Sequence, residues 1–288
     1  MEKRIDFKAE TLLTSKREKA YIKELENAYK LALKDINNNL AQFERLYGKL
    51  DMETMQQMSN IKLKSGRIVS MTRLERLNRV IQADLAIVLA NGQQKTSSYL
   101  TDVYFINRLG GIKAVQKLID FSFEVINRET VYQSAINPLA KLSIQNSEAR
   151  VKQKIKMSIT QSIVQGESIR DMGKRVQVDL ETNANDATRI VRTETTGMEN
   201  KARQELMNEA VDNDIPLLKE WISTSDSRVR DSHSHLNGKT AEYDEPFSNG
   251  LMYPGDQDSG KASETINCRC SMGYVVTEED IAEARKNK

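Results

Sequence analysis

The chain has only two histidines and two cysteines, and all four lie near its C-terminal end. His233 and His235 stand in D-S-H-S-H-L-N-G, Cys268 and Cys270 in I-N-C-R-C-S-M-G-Y. Imidazole nitrogen and thiolate sulfur are the ligands of tetrahedral zinc, so the four together read as a candidate Zn2+ site. An extended strand turns residues i and i+2 to one side, which lets each pair face a single ion. The spacing departs from common structural zinc sites, where two to four residues separate paired cysteines. A second reading makes His233 part of a hydrogen-bonded polar network and the cysteines small, half-buried apolar side chains. A disulfide between them would close a strained ring.

Charged residues surround these four. Asp226, Arg228 and Arg230 precede His233, and Arg269 separates the cysteines. In a strand, Asp226, Arg228 and Arg230 would share a face. Guanidinium forks hold carboxylates or phosphates in fixed geometry. We read these residues, with Arg192 and Glu194 upstream, as a structural polar network that ties loops together; the alternative is a phosphate contact. Arg150, Lys152, Lys154 and Lys156 are read as the basic face of a helix over 146–165 whose apolar face is Val151, Ile155, Ile159 and Ile163. With Lys141 and Arg170 they form a candidate patch for sequence-independent contact with double-stranded DNA. The plain alternative is a solvated helix face. There is no glycine-rich phosphate loop, no His-Glu-x-x-His and no nucleophile elbow, so no catalytic residue is assigned.

The elements that must position these side chains are mostly helical. Residues 11–48 carry Ile22, Leu25, Tyr29, Ala32, Ile36, Leu40, Phe43 and Tyr47 in steps of three or four, one stripe of a helix roughly 55 Å long. That length suggests packing against another chain or another long helix. Residues 61–70 alternate around Ser65-Gly66, as a small hairpin or a loop with extended flanks. Helical spacing resumes at Met71 and is expected to stop at Asn91-Gly92. A further helix opens at Thr96 or Ser97 and stops at Gly110-Gly111, and another covers 112–127. After the helix over 146–165, Gly166-Glu167-Ser168 is a stop and a new N-cap. A short helix from Ser168 to Val178 is followed by one capped at Asn185 or Asp186 that runs to about Asp214. After Pro216, L-L-K-E-W-I-S reads as a strand, glycines then crowd the sequence, and Cys270–Val276 reads as a closing strand. Thr277 caps a short charged helix.

The expected class is therefore α+β: long helices over the N-terminal two-thirds, then a small turn-rich module with short antiparallel strands. The boundaries are set at 1–138, 139–276 and 277–288, around Pro138. Hydrophobic residues are 39% and charged residues 29% of the 288, enough to bury a core. The net charge of +2 gives no global attraction for nucleic acid, so any DNA contact must be local. No apolar run approaches the ~20 residues of a membrane-spanning segment, and the N-terminus lacks the pattern of a signal peptide. Two cysteines one residue apart suit a reducing cytoplasm.

The order R-T-E on a helix, then W-x-S-x-x-D-x-R-V-R-x-x-H-x-x-L-N-G, then F, P-G-D and I-N-C-R-C, resembles the Mu F-like phage head morphogenesis family. The matching positions are Arg192, Thr193, Glu194, Trp221, Asp226, Arg228, Arg230, His233, Gly238, Phe247, Pro254, Asn267, Cys268, Arg269 and Cys270, within roughly 150–276. His235 lies outside the pattern. The resemblance implies a minor head protein of a tailed phage or prophage that binds the portal protein in few copies. It also implies scaffold or major capsid protein as neighbours, assembly in the host cytoplasm, residence inside the virion head, and a DNA contact in packaging or ejection. The long N-terminal helix is the candidate for portal contact or self-association. Domains of this family also occur fused to toxins. The competing reading is an enzyme, a metal-dependent hydrolase or an ADP-ribosyltransferase using Arg192-Thr193-Glu194 and His233.

Overall fold

The computed structural model describes residues 2–5, 7–62, 65, 68–118, 122–134, 138–213, 215, 217–224 and 226–277. Only the backbone is described at 61, 62, 90, 91, 93, 134 and 138–144. Strand β1 (Glu2–Ile5) leads into α1 (Lys8–Tyr47), and α2 (Met52–Gln56) precedes a hairpin of β2 (Met58–Lys62) and β3 (Ile68–Thr72). Then come α3 (Arg73–Gln116), α4 (Arg128–Ser134), α5 (Pro138–Gln165) and α6 (Ile169–Val211). Strand β4 (Leu218–Ile222), α7 (Asp231–Ser234), β5 (Thr240–Glu242), α8 (Ala262–Thr265) and β6 (Ser271–Thr277) complete the described chain. The class is α+β, as the sequence indicated. The expected helix after Thr277 lies outside the described residues, as do Pro216 and the side chain of Lys141.

Two compact units emerge, and they interleave in sequence. One comprises 1–22, 96–141 and 189–288; the other comprises 23–95 and 142–188. One of its cuts, between 141 and 142, lies near the sequence boundary around Pro138, while the others fall within the long helices α1, α3 and α6. In the second unit Tyr29, Ala32, Ile36, Leu40 and Phe43 of α1 share an apolar core with Leu77, Ile81, Leu85 and Leu89 of α3. Val151, Ile155, Ile159 and Ile163 of α5 and Met172, Val176 and Leu180 of α6 complete that core. Of the two partners expected for the α1 stripe, another chain or another long helix, long helices of the same unit cover Tyr29 to Phe43.

Two helices are longer than their glycines and asparagines suggested. Helix α3 runs through Asn91-Gly92 and Gly110-Gly111 without a break. A Cβ at Gly110 would fall 2.2 Å from Cγ of Glu10, and one at Gly111 would fall 2.3 Å from Cδ2 of Leu206. The glycine pair therefore marks close contact with α1 and α6, not a stop. Helix α6 likewise runs unbroken through Asn185 and Asp186. Its start is where the sequence put it: the Ser168 hydroxyl accepts from the Asp171 amide at 3.2 Å. At Thr72 a capping box opens α3, with Thr72 Oγ1 accepting from the Glu75 amide at 3.1 Å and Glu75 accepting from the Thr72 amide at 2.8 Å.

The first unit holds a four-stranded antiparallel sheet in the order β1-β6-β4-β5. Its central strand β6 is buried along nearly its whole length. Strand β1 was not legible in the sequence. It pairs Ile5 with Tyr274 and so brings the N-terminus into the C-terminal module. Trp221, Phe247, Leu251, Met272 and Tyr274 form the core beneath, with Leu206 and Met207 of α6.

Candidate functional site

The polar side of α6 faces the chain that enters β6, and the two elements are joined residue by residue. Thr196 Oγ1 donates to the Cys268 carbonyl at 2.5 Å. Asn200 Nδ2 donates to the Cys270 carbonyl at 3.2 Å, and its Oδ1 accepts from the Met272 amide at 2.8 Å. Arg203 Nη1 donates to the Met272 carbonyl at 3.2 Å. Residues three or four apart on a helix advance about 4.5–6 Å, and alternate residues of an extended chain about 6.6 Å, so one helix face can serve alternate carbonyls. Arg203 is fully buried and also donates to Asn107 Oδ1 and Thr11 Oγ1, both at 2.7 Å, while pairing with Glu199. This accounts for a helix whose buried face is unusually polar: its donors satisfy strand carbonyls that would otherwise be orphaned.

One helical turn N-terminal, α6 meets the P-G-D loop. A Cβ on Gly255 would lie 2.9 Å from the Gly197 nitrogen and 3.1 Å from its Cα. Gly255 also has φ +80, so both backbone approach and conformation call for glycine there. Asp256 fixes the loop by accepting from the Met252 amide at 3.0 Å and the Asp258 amide at 3.1 Å. Gln257 Nε2 donates to Glu194 Oε1 at 2.9 Å. Glu194 is buried, and burial pushes its carboxyl up to about 7 against the pull of that hydrogen bond.

The candidate metal ligands come together in part. Nδ1 of His233 lies 3.6 Å from Cys268 Sγ and 3.5 Å from Cys270 Sγ. All three residues are buried, and their ligand atoms lie within 4.8 Å of one another. His235 is not among them: it is exposed, and its Nδ1 donates to the Asp231 carbonyl at 2.7 Å. The i, i+2 argument fails for the histidines because they sit on the short helix α7 and its C-terminal cap, where such residues diverge. On the far side of the His233 ring, Nε2 is 2.8 Å from Glu264 Oε2, which also accepts from Ser232 Oγ at 3.0 Å. Sequence reasoning missed Glu264, since nothing in its spacing ties α8 to α7. Trp221 closes the site with an edge-to-face contact, its ring centroid 5.0 Å from that of His233. A thiol-to-thiol hydrogen bond, followed by one from His233, holds Cys270 below the usual cysteine range; the same bond and burial push Cys268 up.

Asn267 leads into the cysteines with φ 57, a left-handed conformation that asparagine tolerates better than most residues, and its amide donates to Thr193 Oγ1 at 3.0 Å. The remaining charged residues make separate tethers. Residues 226–230 form a bend and turn, not the strand expected, so Asp226, Arg228 and Arg230 do not share a strand face. Asp226 accepts both arms of Arg269, one at 2.7 Å, and the Arg228 amide at 3.0 Å. The Arg269 hydrogen bonds, foremost among these, hold its carboxyl well below the usual carboxylate range. Arg230 donates to the Ile266 carbonyl, and Arg192 lies 3.7 Å from Glu18. Arg192, Thr193, Glu194 and His233 thus each serve a different contact.

The basic residues of α5 do not form one face. Helix geometry puts Arg150 beside Lys154 and Lys152 beside Lys156, with the two pairs on different sides of the buried stripe. Lys154 is 3.1 Å from the buried Asp179.

Residues 153–273 match a family model described as "Phage Mu protein F like protein". The chain is also similar to "NAD(+)--arginine ADP-ribosyltransferase EFV" of Enterococcus faecalis (strain ATCC 700802 / V583), 28% identical over 163 residues. That stretch covers 55% of this chain and 34% of the relative, so the chain spans about a third of that protein's length. No solved structure matches the chain. The matched span takes in the C-terminal part of α5, all of α6, strands β4 and β5, and the start of β6. Residues 153–273 of the chain are thus similar to the Mu F-like phage proteins, and that likeness covers less than half of its length.

Proposed function

We propose that the protein is a minor head protein of a tailed phage or prophage, bound to the portal in few copies and acting in head morphogenesis. The observation that carries this reading is the family match over α6 and the sheet module, which supports a phage head-related protein. The geometry agrees with a structural role. Thr193, Thr196, Asn200, Arg203, Arg230 and Asn267 all spend their polar atoms on backbone groups or on one another's elements. On this reading the protein assembles with portal and capsid proteins in the host cytoplasm and ends in the head.

Co-expression tests it. The tagged chain should retain the portal protein of its own phage through a salt wash, at a few chains per portal ring. Separate elution of the two at micromolar concentration would overturn the reading. The enzymatic reading has one favouring observation, the activity the relative is named for, and that protein is about three times as long as the stretch it shares with this chain. Incubated with NAD+ and an arginine-bearing acceptor, the isolated chain should transfer no ADP-ribose; turnover lost in Glu194→Gln would favour the enzyme.

A further inference from the structure

We propose that His233, Cys268 and Cys270 bind one zinc ion, and that Glu264 orients the imidazole that completes the site. The distances carry the case. With Zn–N about 2.05 Å and Zn–S about 2.3 Å at a tetrahedral angle, nitrogen and sulfur sit about 3.6 Å apart. The separations from Nδ1 to the two sulfurs are 3.6 Å and 3.5 Å. These gaps are the right width for an ion held between the three atoms.

The surroundings fit as well. A metal-bound histidine gives its other ring N–H to a carboxylate, which fixes the tautomer, and Glu264 stands 2.8 Å from Nε2. That arrangement turns the Nδ1 lone pair toward the sulfurs. Two thiolates cancel the charge of one divalent cation, so the filled site buries no net charge. Both sulfurs ligate as thiolates, so binding displaces any proton they carry. Sulfur donors select zinc over magnesium or calcium. Among the described residues no fourth His, Cys, Asp or Glu joins the group. The site is closed to substrate by the burial of all three ligands, and the ion is structural. It ties α7, which follows β4, to the chain that enters β6.

The full chain, purified without chelator under reducing conditions, tests this by elemental analysis and by cobalt titration of the metal-free protein. One equivalent of zinc and a thiolate-to-cobalt absorption band are expected, with a rise in Tm when zinc is restored. Cys270→Ser should lose the band. Glu264→Gln should keep the fold and weaken metal binding about 10–100-fold. His235→Ala should bind as the parent does. A folded, fully reduced wild-type chain that shows no cobalt band and no Tm shift in excess zinc would overturn the proposal. So would equal weakening by Glu264→Gln and His235→Ala. Should Cys270→Ser fail to fold, the wild-type titration and the Glu264→Gln comparison decide the matter.

Discussion

At Glu194 the protein buries a carboxyl against a single amide donor, and the consequence is readable as pH dependence. Its folded pKa of about 7 stands above the ordinary glutamate value of 4.5, so between those values the folded state holds more proton than the unfolded state. Stability must therefore fall as pH rises through that window and stay low above it. Urea denaturation should show this decline in the parent chain. Glu194→Gln keeps an acceptor for Gln257, so it should flatten the profile and add about 1–3 kcal/mol at pH 8. Identical slopes in both proteins would contradict the assignment. The residue scale also shows what a single sequence withholds. Histidine and cysteine declare their chemistry by type, so His233, Cys268 and Cys270 were legible. Which histidine participates was not, because α7 is only a turn of helix and sends His235 outward. Glu264 was invisible for the same reason: its role depends on a fold contact across α7 and α8.

At the scale of elements, α6 and β6 behave as one unit because side chains on the helix serve carbonyls on the strand. Arg203 is the sharpest case, with its guanidinium shared among Glu199, Asn107, Thr11 and the Met272 carbonyl. Arg203→Ala would strand a buried carboxylate and several polar atoms, and should cost about 3–5 kcal/mol. Asn200→Leu removes bonds to Cys270 and Met272 and should cost about 1–3 kcal/mol. Chemical denaturation measures both, and a loss under 1 kcal/mol for Arg203→Ala would deny the coupling. The polar run of α6 was visible in the sequence; its purpose was not, since carbonyl partners leave no trace in residue types. The strands β4 and β6 were legible from their apolar, β-branched and aromatic residues. Gly110-Gly111 misled because a glycine needed for close contact looks the same as one that ends a helix.

For the molecule as a whole, the two units interleave: each long helix gives residues to both, and one cut, between 141 and 142, lies close to the boundary read around Pro138. The α1 residues Tyr29 to Phe43 are buried against α3, α5 and α6 within one unit. We also propose DNA contact through Arg150, Lys152, Lys154 and Lys156, which are split between two sides of α5. Glutamate at Lys152, Lys154 and Lys156 should abolish any salt-sensitive shift of a random duplex. A variant that still binds with the parent's salt slope would place the contact elsewhere. The most direct measurement on the account is made on purified DNA-filled virions of the phage that encodes the chain. Quantitative mass spectrometry should find it at a few copies per head, protected from protease until the heads are opened. Its absence from purified virions, or its digestion on intact ones, would contradict a role inside the head.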